Sequence, residues 1–411
     1  MAVAPIDKSA QPGVTYPRPM RSPSRVTGIS WSADVIVIGA GIVGCAAAAM
    51  MADRGARVIL VEREGIGAGA SGRNLGAIQH PFDPMLGPLY HESLDRYRAL
   101  ADGSDGLFAV GAAPAGLLLL QRDADAAAAQ HARLRERVPE LAPQLVTPEE
   151  LAILEPALAA GPAAIRLATG YPIPPASATA AWADLAERRR AELLVGSAGR
   201  PDVARGRVVG VTLEDGSRLA AGAVLVAAGP WTPRLVDPNG DWRPIRPTYG
   251  VTLQLRLGSG APGHVVEEDE VDAINRAEAA TARSAEAAEA DADPPSLFSI
   301  ATARGISTLG STFLPDEPDP AAIESLLVRR AATFLPGITE AEIVGRRMCA
   351  RPQSVDGRPF IGAVDGVGGL FVCAGHGPWG ISTGPATAAI AARAVLDGTA
   401  PPKVLAASRP F

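Results

Sequence analysis

Residues 34–62 constrain the fold of this chain more than any other segment. An apolar run at residues 35–38, typical of a buried parallel strand, is followed by the G-x-G-x-x-G spacing of Gly39, Gly41 and Gly44. Such glycines allow a tight turn, a close approach of backbone to a pyrophosphate, and close packing of the next helix on the sheet. The segment therefore predicts a βαβ unit that binds a dinucleotide, with the phosphates at the helix N-terminus.

The residues at the end of this unit argue against NAD as the dinucleotide. A second predicted strand, residues 57–61, leads to Glu62, an acid placed to bind ribose hydroxyls. A polar glycine-rich stretch follows at once, where an NAD-binding chain would continue into a regular helix. It could contact a second phosphate, a ribitol or a ring edge, or it could be a surface loop. The candidate contact residues around these two loops are Ile42, Val43, Arg63, Ser71, Gly72, Arg73, Asn74 and Leu75.

Two later segments also contain a predicted strand that ends at a glycine or a glycine-rich turn. A predicted strand at residues 223–228 ends at Gly229, after two alternating runs around the Asp215–Gly216 turn. Near the C-terminus, RPQSVDGRPFIG precedes a strand, a glycine-rich turn and an Ala-rich helix. The chain thus contains several strand-to-turn elements of the kind that surround a large cofactor.

Five segments in this order, GAGIVG with Glu62, GASGRNLG, VAAGPW, RPQSVDGRPFIG and GHGPWGISTGPA, resemble the FAD-dependent amine oxidoreductases of the D-amino-acid-oxidase (DAO) type. Glycine oxidase and sarcosine oxidase belong to that group. The resemblance implies FAD as cofactor and an α/β fold. We expect a Rossmann-like FAD-binding domain of the glutathione-reductase type, interleaved with an antiparallel-sheet substrate domain.

The family topology implies a discontinuous domain organisation. We assign residues 33–80, 165–240 and 345–400 to the FAD-binding domain, and residues 81–164 and 241–344 to the substrate or cap domain. Residues 1–32, rich in Pro, Ser and Arg, are predicted to be a disordered leader. Residues 267–295 are rich in Ala, Glu and Asp, which predicts a disordered insertion, either solvated or a lid over the active site.

The resemblance also implies the chemistry, which is hydride removal from the carbon that bears an amine. Arg351 matches the arginine that binds the substrate carboxylate in the family, and a guanidinium fits a carboxylate bidentately. The alternative is a salt bridge from Arg351 to Asp356. Tyr249 lies in a predicted strand under the substrate site, or it packs within the sheet.

The GHGPWG turn is the second candidate site. Its helix would direct an N-terminus at the flavin, where negative charge develops on reduction. His376 could add a hydrogen-bond donor or could cap the turn. The flavin-contacting residues predicted for this turn are Gly375, Gly377, Trp379, Gly380, Ile381 and Ser382.

Cys349 and the lysines leave the redox chemistry open. Cys349 matches the spacing at which the sarcosine-oxidase branch tethers its flavin through a thioether, or it is a buried apolar thiol. That branch also uses a lysine to activate oxygen, whereas this chain has only Lys8 and Lys403. We favour an oxidase that passes electrons to oxygen. The alternatives are a dehydrogenase that passes them to a quinone or a partner subunit, and a non-catalytic flavoprotein subunit.

Composition excludes several other classes. A net charge of −6 without a basic stripe argues against nucleic-acid binding, and no run approaches the length of a membrane span. The three cysteines have neither metal-site nor disulfide spacing, so we predict no metal and, by default, a cytoplasmic location. The expected partners are therefore an amine or amino-acid substrate and an electron acceptor.

Overall fold

Two eight-stranded sheets and one two-stranded sheet organise the molecule, and the computed structural model describes residues 32–269 and 296–411. In these residues the strands are β1 (Ser32–Ile38), β2 (Val58–Glu62), β3 (Ala77–Ile78), β4 (Leu117–Gln121), β5 (Gln144–Val146), β6 (Ala163–Leu167), β7 (Tyr171–Pro172), β8 (Glu192–Val195), β9 (Gly199–Ala204), β10 (Arg207–Leu213), β11 (Arg218–Val226), β12 (Ile245–Arg256), β13 (Val265–Glu268), β14 (Ser296–Ala303), β15 (Ile306–Thr312), β16 (Glu342–Ser354), β17 (Phe360–Ala363) and β18 (Leu370–Ala374). The α-helices are α1 (Ile42–Asp53), α2 (Gly87–Asp102), α3 (Ala124–Arg137), α4 (Pro148–Leu154), α5 (Ser177–Arg188), α6 (Thr232–Val236), α7 (Pro320–Ala332) and α8 (Gly380–Asp397).

The first large sheet has the strand order β17-β18-β11-β1-β2-β8, with β10 and β9 added beside β11. Strands β18, β11, β1, β2 and β8 are parallel to their neighbours on this path, while β17 is antiparallel to β18. Residues 35–38 are buried, as expected for a parallel strand covered on both faces. Helices α1 and α8 pack together against one face, and their alanine-rich contact lets the two helices approach closely.

The second large sheet has the order β16-β12-β15-β14-β13-β4-β6-β5 and is antiparallel except for the pair β13–β4. One face is apolar and packs on α7, through residues such as Leu253, Phe298 and Leu327. Since side chains alternate across a strand, the polar residues Thr252, Gln254 and Ser299 face the other way and line a cavity. The sheet therefore separates a hydrophobic core from a polar interior surface.

Two predicted domain boundaries fall inside strands. The boundary at residue 165 lies within β6, and the boundary at 345 lies within β16, and both strands belong to the second sheet. Sequence motifs locate loops and cofactor contacts, but the length of a long strand depends on its partners across the sheet. The α/β fold itself agrees with the expectation. Helix α4 begins with a capping box, in which Thr147 and Glu150 exchange hydrogen bonds.

The predicted insertion begins too early. Glu267 and Glu268 are strand residues of β13, and Glu267 is only 3% exposed. Gln79 donates a hydrogen bond to Glu267 at 3.1 Å, and Arg330 forms an ion pair of 2.8 Å with Glu268. Such tertiary partners are invisible to composition. The rest of that segment and the predicted leader up to residue 31 lie outside the described residues, whereas Ser32 already belongs to β1.

Candidate active site

A cavity of about 970 Å³ lies between the two large sheets. Its walls come from the loop after β1, the glycine-rich stretch after β2, the polar face of the second sheet, and the N-terminus of α8. It is therefore bounded by each of the segments in which the sequence places cofactor or substrate contacts.

The loop after β1 has the shape that a dinucleotide requires. Gly39 has φ 107°, and a Cβ there would lie 2.6 Å from the carbonyl oxygen of Ala227. A Cβ on Gly44 would collide with the carbonyl oxygen of Gly39. Gly39 thus lets the loop pass close to the end of β11, and Gly44 lets α1 approach β1 closely, which brings the helix N-terminus to the cavity. The residues present fit a bound pyrophosphate.

The second glycine-rich stretch is held against this helix. The Ser71 hydroxyl oxygen accepts a hydrogen bond of 3.0 Å from the Ile42 N–H in the first turn of α1. Asn74 donates to the carbonyl oxygens of Ser71 and Pro175, and its own oxygen accepts from the Gly76 N–H. Ser71 and Asn74 therefore fix the shape of the stretch.

Glu62 lies at the end of β2, beside the loop. One carboxylate oxygen accepts from the Ala40 N–H and the other from the Glu64 N–H, each at 2.8 Å. Each oxygen can accept a further hydrogen bond, for example from a ribose hydroxyl. The next residue, Arg63, stacks on Trp231 with its guanidinium carbon 4.0 Å from the ring centre, and both residues line the cavity.

The glycine-rich turn before α8 packs tightly on the second sheet. Gly377 has φ 53°, and a Cβ there would lie 2.8 Å from the Gln353 amide oxygen. The turn brings the first residues of α8 to the cavity, among them Gly380, Ile381 and Ser382. The Ser382 hydroxyl oxygen accepts from the Gln79 N–H at 3.1 Å. The N–H groups and positive dipole end of α8 can therefore stabilise negative charge in the cavity.

His376 is a neutral residue of this turn. Burial lowers the pKa of His376 to about 4. The Thr387 hydroxyl donates to the Gly384 carbonyl, so its oxygen accepts the 2.8 Å hydrogen bond from Nε2 of His376. The remaining ring nitrogen, Nδ1, is then unprotonated and can only accept a hydrogen bond. This arrangement favours a structural role for His376 over the role of a donor.

Arg351 lies on β16 with its guanidinium over Gly250 of β12. Nη1 donates to the Thr312 carbonyl at 2.9 Å, Nη2 donates to the Ser311 hydroxyl, and the guanidinium carbon is 4.6 Å from the centre of the Phe313 ring. No carboxylate in residues 32–269 or 296–411 forms an ion pair with Arg351. The alternative partner named above, Asp356, is instead paired with Arg409 at 2.9 Å.

Cys349 and Tyr249 also line the cavity. Cys349 precedes Arg351 by two positions on β16, so both side chains lie on the same face of the sheet, and Cys349 is 5% exposed. Tyr249 exchanges two backbone hydrogen bonds with Leu314, at 2.7 and 2.9 Å. These bonds fix the strand on which Tyr249 lies.

Sequence reasoning missed several cavity residues of β16, among them Arg347. Arg347 precedes Cys349 by two positions and is only 8% exposed. The alternation Arg347, Cys349, Arg351 is a period-two pattern that, once residues 342–354 are known to be one strand, assigns all three to one face. Sequence reasoning also did not single out Phe313, Gln353 and Trp231, because their contacts with Arg351, Gly377 and Arg63 join segments far apart in the sequence.

The predicted site residues fall into two groups. Those that line the cavity are Gly39, Gly41, Ile42, Val43, Glu62, Arg63, Ser71, Arg73, Asn74, Leu75, Gly229, Tyr249, Cys349, Arg351, His376, Gly377, Trp379, Gly380, Ile381 and Ser382. Gly44, Gly72 and Gly375 lie behind this wall, where a Cβ would meet neighbouring atoms at 3.2 Å or less. The second group therefore shapes the loops and does not contact the cavity.

One cluster away from these residues has the composition of a metal site. Ligand atoms of His80, His91 and Glu140 lie within 4.8 Å of one another. However, Nδ1 of His80 accepts a hydrogen bond from the Phe82 N–H, so Nε2 of the neutral ring carries the proton. A metal-ligating histidine normally donates from its second nitrogen. The hydrogen bonding around His80 thus disfavours a metal at this cluster.

The glycine loop, the acid after the second strand, and a cavity roofed by a second sheet define a dinucleotide-binding oxidoreductase of α/β fold. A model of the DAO family, "FAD dependent oxidoreductase", matches residues 34–394, and the chain belongs to this family. The protein is therefore an FAD-dependent oxidoreductase that acts on amino acids or amines. In the described residues no helix has the length and apolar character to cross a membrane.

Individual relatives agree with this assignment. The chain is 30% identical over 368 residues to a glycine oxidase of Pseudomonas aeruginosa, covering 86% of this chain and 92% of that protein. The fold matches the crystal structure of glycine oxidase from Geobacillus kaustophilus with a TM-score of 0.75 and 25% identity, covering 93% and 100% of the two chains. L-proline dehydrogenase from P. horikoshii has the same fold, with a TM-score of 0.74, 20% identity and coverage of 90% and 95%.

Proposed function

We propose that the protein is an amino-acid or amine oxidase whose substrate carries a carboxylate that Arg351 binds. The amine-bearing carbon is oxidised to an imine, which hydrolyses to a carbonyl compound and ammonia or a smaller amine, and oxygen accepts the electrons. When bound, FAD supplies the hydride acceptor at its N5 position. The residues of the chain bind and orient the substrate next to it.

The state of Arg351 carries this proposal. Two of its five N–H donors are used by Thr312 and Ser311, and its guanidinium lines the cavity without a carboxylate partner among the described residues. A partly buried guanidinium without a counter-ion is costly, and the carboxylate of an amino acid would supply one. The Phe313 ring packs against the guanidinium and limits its movement, which favours a single orientation of the substrate.

The N-terminus of α8 supports the redox step. The N-terminus of α8 lines the cavity, and its N–H groups favour the negative charge that accompanies reduction of the cofactor. Neutral His376 adds no charge there. Positive charge from the helix dipole and from Arg351 therefore suits a carboxylate-bearing substrate that loses a hydride in this cavity.

The proposal also names the electron acceptor, which is oxygen. A relative named glycine oxidase at 30% identity supports oxygen. A dehydrogenase that passes electrons to a quinone or a partner subunit is the second candidate. One observation favours it: of the two lysines in the chain, Lys403 lies after α8 and Lys8 outside the described residues, so no described lysine lines the cavity.

The products of aerobic turnover test the proposal. The holoprotein would be incubated in air with pooled D-, L- and N-methyl amino acids, and hydrogen peroxide and carbonyl product would be measured. The oxidase proposal predicts equal amounts of the two. Carbonyl product that forms only when an artificial electron acceptor is added would show a dehydrogenase. No carbonyl product with any acceptor, from protein that retains FAD, would contradict amino-acid oxidation itself.

A further inference from the structure

Arg73 and Arg347 join the cofactor loop to the second sheet in a reciprocal way. Arg73, in the glycine-rich stretch after β2, donates from Nη1 to the Met348 carbonyl at 3.1 Å. Arg347, on β16, reaches back to the Gly72 carbonyl at 3.4 Å and donates to the Thr308 hydroxyl at 3.1 Å. Each guanidinium thus contacts the backbone beside the other. We call Arg73 and Arg347 together the arginine pair.

The charge of the arginine pair is not neutralised by the described part of the protein. Arg347 is 8% exposed, its Nε has no hydrogen-bond acceptor, and no carboxylate in the described ranges forms an ion pair with either arginine. Burial lowers the pKa of Arg347 to about 10; the positive charge of Arg73 adds to the lowering, and Cys349 opposes it. Arg347 therefore remains charged at neutral pH.

Two adjacent buried or half-buried cations are unfavourable without negative charge nearby. Both arginines line the cavity, and Arg347 lies on the same strand face as Cys349 and Arg351. The phosphates of a dinucleotide have a separate site at the N-terminus of α1, formed by the loop of Gly39 and Gly41 on the first sheet. The family resemblance places the flavin ring beside Cys349, two positions from Arg347 on β16, so negative charge on that ring can neutralise the arginine pair.

We propose that the arginine pair is a buried cationic site that stabilises the negative charge taken up by the flavin ring of the bound cofactor on reduction. The oxidised ring is neutral and the reduced ring is anionic, so a fixed positive charge favours the reduced state. The arginine pair thereby raises the reduction potential of the cofactor and aids the acceptance of a hydride. It also stabilises anionic adducts of the oxidised ring.

This inference rests on the proposed function for the presence of a redox-active flavin, but not on the substrate or the electron acceptor. Sulfite is a suitable probe, because its sulfur adds its own electron pair to N5 of the oxidised ring and leaves negative charge on the ring. The adduct bleaches the visible band of the flavin and needs neither an amine nor oxygen. The result of this test can therefore be interpreted even if the amine-oxidation proposal is wrong.

The test compares sulfite dissociation constants of purified holoproteins. We expect Arg347→Met to raise the sulfite dissociation constant by about tenfold or more. The loss of one buried positive charge changes the binding of an anion on that scale. Arg347→Lys should keep the dissociation constant within about threefold of the unmodified protein, because it keeps the charge. Arg256→Met is the matched control, because Arg256 lies on the neighbouring strand β12 and pairs with exposed Glu342 at the surface. It should leave sulfite binding unchanged.

Two further measurements exclude a purely structural role. The reduction potential, measured against a reference dye, should fall in Arg347→Met while the affinity for oxidised FAD stays similar. If Arg347→Met does not fold, Arg73→Met at the half-buried member of the arginine pair must shift sulfite binding in the same direction. The inference is overturned if folded variants bind sulfite as the unmodified protein does. It is also overturned if they lose FAD while the remaining holoprotein keeps its reduction potential, because the pair would then hold the cofactor without tuning it.

Discussion

The guanidinium of Arg351 occupies the space in which a side chain at Gly250 would lie. A Cβ built on Gly250 would be 2.6 Å from Nη1 of Arg351 and closer still to Nη2. Gly250 has an ordinary extended backbone within β12, so it is a glycine for steric reasons and not for conformational ones. The absence of a side chain at 250 is therefore part of how Arg351 is positioned.

Substitution of Gly250 tests this relationship. Gly250→Ala should displace the Arg351 guanidinium and lower kcat/KM for a carboxylate-bearing substrate by about 10- to 100-fold, because a misplaced positioning group is costly. The melting temperature should change by only a few degrees. Gly260→Ala is the control, since a Cβ at Gly260 would meet no atom within 4 Å. Unchanged kinetics in Gly250→Ala would show that Arg351 is not held as described.

Replacement of Arg351 itself tests its role more directly. Arg351→Lys should raise KM for an amino acid by about 10- to 100-fold, because the bidentate fork is lost while the charge remains. Oxidation of an amine without a carboxylate should be much less affected. An unchanged KM for the amino acid, measured beside the Arg256→Lys control, would remove Arg351 from the substrate site.

Cofactor binding depends on close packing around the first loop. Gly44→Ala should lower the affinity for FAD by about 100-fold or abolish it, because the new Cβ collides with the Gly39 carbonyl oxygen. The ratio of flavin to protein absorbance and titration of the apoprotein with FAD would measure this. Gly65→Ala, where a Cβ would meet nothing within 4 Å, should bind FAD normally. Equal flavin content in the two variants would show that the loop after β1 does not need a glycine at position 44.

The pH dependence of stability should contain a contribution from Glu155. Burial by itself would raise the pKa of Glu155, but hydrogen bonds from the His264 ring and backbone, and from the Gly263 N–H, outweigh it, and the pKa is lowered. A carboxyl whose folded pKa is depressed stabilises the protein above its unfolded pKa, about 4.3 for Glu, and this contribution is lost as pH falls through the folded value.

Urea unfolding at pH 7 and at pH 4 or below would measure this contribution. Glu155→Gln should reduce the free energy of unfolding at pH 7 by about 1–3 kcal/mol and flatten its decline at acid pH. Glu342→Gln, which breaks only an exposed ion pair with Arg256, should leave the decline as it is. An equal decline in Glu155→Gln and the unmodified protein would contradict the assignment.

Local sequence signals predicted the parts of the site that depend on backbone shape. Gly39, Gly41 and Gly44 could be recognised because their spacing by itself requires a tight loop before a helix. The DAO-type motifs predicted that Glu62 and the turn before α8 contact the cofactor and that Arg351 binds the substrate, and all three line one cavity.

The residues that sequence reasoning missed depend on contacts between distant segments. Arg347 looks like a surface arginine until β16 is placed under residues 72–73, about 275 positions earlier in the chain. Glu267 belongs to an acidic stretch by composition, yet it is buried in β13 beside Gln79. His376 could be located but not assigned a protonation state, because that state follows from burial and from the orientation of Thr387.

The central claim is that bound FAD is reduced by an amine whose carboxylate contacts Arg351. The most direct test is the visible spectrum of the holoprotein without oxygen, before and after addition of pooled D-, L- and N-methyl amino acids. The account predicts that the flavin band bleaches in the unmodified protein and in Arg256→Met, and bleaches far more slowly in Arg351→Lys at the same concentrations. A band that no carboxylate-bearing amine bleaches, or equal bleaching in Arg351→Lys, would contradict the account.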